Sequence, residues 1–129
     1  MHARTSPQET YRRVEFDARV AGASAFDLVG LCYEQLIAAI GSALFAHERS
    51  DNGQKSRALT RALSAITALQ LGVSDSEEGV AGALRHFYEA ARRTVLDSVI
   101  DFDGPRLASL QGDVRDIAGA MLDKGRKVA

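Results

Sequence analysis

From residue 24 onward, apolar side chains recur every three or four positions in four blocks separated by short polar breaks. That spacing places them along one side of an α-helix. Ser24 with Asp27 three positions later forms a capping-box start, and it predicts a first helix over residues 25–46. Phe26, Val29, Tyr33, Leu36, Ile37, Ile40 and Leu44 make its stripe, while Leu28, Leu31 and Phe45 fall elsewhere on the wheel. A helix that is apolar nearly all round calls for central burial or for a second contact surface. Ser50, Asp51, Asn52 and Gly53 read as a turn. A second helix over 54–71 carries Leu59, Ala62, Leu63, Ile66 and Leu69 on one side and Arg57, Arg61 and Ser64 on the other, with Gly72 past its end.

Ser74 and Glu77 make another capping box, ahead of a third helix over 75–100 striped by Val80, Leu84, Phe87, Tyr88, Ala91 and Val95. Asp101, Asp103, Gly104 and Pro105 break the chain, and Pro105 suits the first turn of a fourth helix over 105–124. Leu107, Leu110, Val114, Ile117 and Met121 form its stripe, and Gly125 is expected to end it. Residues 1–23 show no sustained period and read as an extended or mobile arm carrying Tyr11, Val14 and Phe16.

Four helices with short connections imply antiparallel neighbours. The expected fold is all-α, an up-down antiparallel four-helix bundle over 24–124, with the arm over 1–23 and a short basic tail over 125–129. The only prolines are Pro7 and Pro105, so nothing between them breaks a long helix. The 21 alanines and the lack of tryptophan suit close helix approach and shallow layers between helices. No unbroken apolar run approaches the ~20 residues that span a bilayer, and no apolar leader opens the chain, so neither membrane insertion nor a signal peptide is expected. The formal charge of −1 argues against binding nucleic acid, which takes a basic footprint.

Enzyme chemistry takes a constellation of residues, and the sequence offers none. It has one cysteine, Cys32, in an apolar stretch, where it reads as a small buried hydrophobe. The histidines at 2, 47 and 86 stand apart without partners at ligand spacing, so no metal or cofactor is expected. His86 lies off its helix's apolar stripe, where a phosphotransfer histidine would sit. A signalling bundle using His86 is therefore one alternative, and a purely structural, dimerising bundle is another.

The ordered residues resemble a known family. Tyr11-Arg12-Arg13-Val14, then Ala23-Ser24, then Leu28-Val29-Gly30-Leu31-Cys32-Tyr33-Glu34 resemble the start of the FliS family of flagellar export chaperones. Ser64 to Leu69 is similar to that family's second helix, and Ser74 to Gly79 followed by Val80 to Tyr88 is similar to its acidic turn and third helix. The resemblance covers about residues 9–122. Ala25 stands where the family often has proline, and Gln35 where it has glycine, which marks a divergent member.

The resemblance implies a cytoplasmic protein that binds the C-terminal segment of flagellin, keeps it from polymerising and presents it to the flagellar type III export gate. It implies a protein-binding role as a monomer or weak homodimer. Helix-in-groove recognition would accept the client's apolar face along shallow channels between helices. The off-stripe residues Leu28, Leu31 and Phe45 are the expected groove. Ile66, Leu84 and Tyr88 join them by family position, and Tyr11 and Val14 join them from the arm, which is expected to cover part of the groove when it is empty.

Overall fold

The computed structural model describes residues 7–21, 24–73 and 79–128, and among them every regular element is a helix. The helices are α1 (Pro7–Ala21), α2 (Ala25–Glu48), α3 (Asn52–Gly72), α4 (Gly79–Ile100) and α5 (Gly104–Val128). Helices α2 to α5 pack as a ring in which α2 touches α3 and α5, and α4 touches the same two. The expected four-helix bundle is therefore present, built from the four periodic blocks.

The helix starts follow the local chemistry. Ser24 accepts the Asp27 backbone N–H at 3.2 Å, and Asp27 accepts the Ser24 backbone N–H at 3.3 Å, which closes the capping box of α2. Asp51 caps α3 by accepting the Gln54 N–H at 3.1 Å. Asn52 and Gly53, expected in the turn, belong to the helix. The left-handed position of that turn falls on Ser50, with φ 56°. Asp103 accepts the Arg106 N–H at 3.1 Å at the start of α5. The Ser74 and Glu77 capping box lies outside the described residues.

Two expectations change. Residues 7–21 form helix α1 instead of an extended arm. Its apolar stripe is too short to show a period, but Pro7 and Glu9 suit a helix's first turn, and Glu9 with Arg13 and Glu15 with Arg19 stand at the i,i+4 spacing of helical ion pairs. Helix α5 also runs through Gly125 to Val128, so the segment read as a tail is helical. A glycine inside a helix costs only about 1 kcal/mol relative to alanine, and this one is not followed by a proline.

The core is mostly aliphatic and alanine. Leu36, Ile40, Ala43, Ala58, Ala62, Ile66, Val95, Leu107 and Val114 are fully buried. Small side chains on α2 and α3 bring those helices together. On the α5 side, Gln111 donates to the Ile37 carbonyl at 3.0 Å, and Gly41 makes room for it, because a Cβ there would meet the Gln111 amide at 3.2 Å. Cys32 is half-buried, and burial pushes its thiol pKa up, so it stays protonated. The stretch Phe26–Glu48 is apolar and long enough to cross a membrane by length and composition, but Leu36, Ile40 and Ala43 of that stretch sit in the bundle core.

One polar chain crosses the core. Tyr33 on α2 and Tyr88 on α4 join their hydroxyls across the bundle's diagonal, and the Tyr33 hydroxyl donates to Met121 Sδ on α5 at 3.2 Å. With the single Tyr33 proton used on Met121, Tyr88 is the donor to Tyr33. Burial raises the pKa of both phenols. The bond from Tyr88 pulls Tyr33 partly back down, while it holds Tyr88 up further.

Two expectations follow from this chain. Tyr33→Phe strands the buried Tyr88 hydroxyl and is expected to cost about 1–3 kcal/mol in denaturant unfolding. Tyr88→Phe leaves Tyr33 bonded to Met121 and costs less, and the double variant, which strands no hydroxyl, costs less than Tyr33→Phe alone. Because the folded phenols hold their protons beyond the unfolded value of about 10, the unfolded chain deprotonates first. Stability is therefore full below about pH 10 and falls as pH rises past it, and unfolding midpoints across that range should lose this slope in the double Phe variant.

Candidate functional site

The non-core side of α2 is the most apolar free surface near the N-terminal helix. Leu28 is exposed near its start, and Phe45 is 60% exposed near its end. At 1.5 Å per residue they stand roughly 25 Å apart along the same broad face. Exposed Ala38 and half-buried Ser42 lie between them, so the strip is shallow. Leu31, on the same side, is only 6% exposed, yet it lies outside the central core cluster.

The start of α1 stands beside the Phe45 end of this strip. A cleft of about 450 Å³ opens there, between α1, α2 and the start of α3, with Glu9, Arg12, Phe45, Arg49 and Arg61 among its walls. Glu9 pairs with Arg57 Nε at 3.5 Å. Among the described side chains of α1, Glu9 and Phe16, two helical turns apart, are half-buried on a shared face. One is charged and one aromatic, so a search for apolar spacing passes over the pair.

The sequence-selected residues separate into groups. Leu28 and Phe45 are exposed on α2. Val14 is exposed on α1, on the side away from Glu9 and Phe16. The Tyr11 side chain lies outside the described residues. Ile66 and Tyr88 are buried in the core cluster, and Leu84 packs partly buried against it. The structure thus sets Ile66 and Tyr88 among core residues, since their helix faces point into the ring. His86 is exposed on α4.

Some surface features were not singled out by the sequence pattern. Arg57 and Arg61 read as solvent-facing, yet Arg61 is half-buried beside α1. Burial pushes its guanidinium pKa down, the Arg12 and Arg57 charges push the same way, and Glu9 opposes them. At the far end of α4, Leu96, Val99 and Ile100 are exposed together. Their wheel positions lie off the core stripe, which is the signal that marks them.

The same end of the bundle is tied by an aromatic clasp. His47 stacks on Phe102 with ring centroids 4.0 Å apart, and Lys55 Nζ lies 5.0 Å from the Phe102 centroid and 3.3 Å from His47 Nδ1. Among the described residues, no group of three His, Cys, Asp or Glu side chains is placed to hold a metal ion.

No curated protein matches this sequence. The family model of the flagellar protein FliS, in contrast, matches residues 7–121, which spans α1 and all but the last turns of α5. A match over most of the chain, on a four-helix bundle of the expected order, shows that the chain belongs to the FliS family of flagellar chaperones.

Proposed function

We propose that this protein binds the C-terminal segment of flagellin in the cytoplasm, holds it back from premature polymerisation and delivers it for type III flagellar export. Membership of the FliS family together with the apolar non-core face of α2 carries this reading. A segment that forms an amphipathic helix only in its final assembly exposes an apolar stripe while it waits. Covering that stripe takes a shallow, elongated apolar surface, and α2 offers one from Leu28 to Phe45. Ordering a disordered client costs entropy, so a wide contact area is compatible with release at the export gate. No catalytic step is part of this role.

Helix α1 fits as a cover for the same strip. Leu31 is buried although its side of α2 points out of the bundle, and Phe16 is half-buried. A cover that shields apolar surface in the free chaperone lowers the risk of self-association. Tyr11 and Val14 would meet the client once α1 shifts.

The test is co-expression with flagellin from the same cell, followed by titration of its C-terminal segment. A stable complex at micromolar concentration is expected. Phe45→Glu and Leu28→Glu, both at exposed positions, should leave thermal unfolding nearly unchanged and weaken the complex roughly tenfold or more. Absence of any complex with the unaltered chain overturns the proposed function. Removing residues 1–21 should raise binding of an apolar-surface dye to the free protein, and an unchanged dye signal counts against α1 as a cover.

A further inference from the structure

The cleft beneath α1 already holds a carboxylate. Glu9 reaches Arg57 with only 20% of its side chain exposed, and Arg12, Arg49 and Arg61 stand in the same cleft. The cleft's other acidic side chain, Asp51, directs Oδ1 to the backbone N–H of Gln54 at the head of α3. The positive end of that helix dipole adds to the cationic side. Guanidinium groups crowded into a half-dry space repel one another, and a carboxylate among them relieves the repulsion. Burial pushes the Arg61 guanidinium pKa down, the Arg12 and Arg57 charges push the same way, and Glu9 opposes them.

We infer that this cleft is a carboxylate-binding site whose resident occupant is Glu9, and that an acidic residue on an amphipathic partner helix displaces Glu9 from Arg57 and Arg61 while the partner's apolar face settles on Phe45. Exchange of one carboxylate for another keeps a negative charge beside Arg57 and Arg61 throughout. Lifting α1 without a replacement leaves half-buried Arg61 without that carboxylate beside it, which is the less favourable way to open the cleft. The site therefore couples release of α1 to arrival of a partner of suitable charge. Identifying that partner as flagellin's C-terminal segment rests on the proposed chaperone function; the carboxylate chemistry rests on the cleft alone.

Two probes titrated onto the full chain separate these points: a short oligoglutamate peptide, and the C-terminal segment of flagellin from the same cell. Both are expected to bind more weakly as salt rises. Glu9→Gln vacates the site and should tighten both by a few fold. Arg61→Gln should weaken both by roughly fivefold, with a flatter salt dependence. Arg115→Gln, exposed on α5, should change neither. These positions lie outside the core, and thermal unfolding checks that each variant is folded. If oligoglutamate fails to bind the Glu9→Gln chain, or binds the unaltered and Arg61→Gln chains alike, the carboxylate site is overturned whatever the flagellin segment does. If oligoglutamate follows the expected order while the flagellin segment does not bind, the cleft stands and the chaperone function falls.

Discussion

Helix α2 carries more apolar surface than the interior of a four-helix bundle can take from one member. Leu36, Ile40 and Ala43 face inward and are fully buried against the neighbouring helices. Leu28, Leu31 and Phe45 sit on the side that the ring leaves uncovered. A helix buried on one arc gains the transfer free energy of that arc alone, and the remaining apolar surface stays in water unless something else lies on it. The start of the chain's own α1 stands beside one end of that remainder, and the proposed client would take the rest. Architecture and function both follow from this surplus.

Polar groups fix how the bundle is aligned. An aliphatic and alanine core packs densely but tolerates sliding, because one buried methyl resembles another. The chain from Tyr88 through Tyr33 to Met121 ties three helices at one level. Gln111 ties α5 to the backbone of α2, and Arg92 on α4 bonds Gln70 and Thr67 on α3. Each bond is worth little net, but leaving any of these groups unpaired on a shifted register costs more than the bond supplies. Among the described residues, no buried side-chain nitrogen or oxygen lacks a partner. A rigid ring matters for a docking surface, since the strip on α2 is only as well defined as the helix that presents it.

Helix α1 is attached in a different way. Most of its residues are exposed, and among the described residues the ion pair of Glu9 with Arg57 ties it to α3. Pairs of this kind are weak and salt-sensitive, which suits an element that has to move. Burial holds the ring together and charge holds the cover, so the cover can yield without disturbing the ring.

The sequence by itself determined the four bundle helices, the capping chemistry of Ser24 and Asp27, and the surplus of apolar residues on α2, because period and capping are local and survive without knowledge of neighbours. It also carried the family, through the order of its motifs. Tertiary structure alone decided three matters. Residues 7–21 are helical, although they lack an apolar stripe of readable length. Leu31 is buried although it lies off the stripe of α2, because a helical wheel gives relative angles and not what lies over each of them. Arg61 and Glu9, 52 positions apart in sequence, share a cleft. A meeting of distant charges leaves no periodic trace in the chain, and it exists only once the start of α1 stands against α2 and α3.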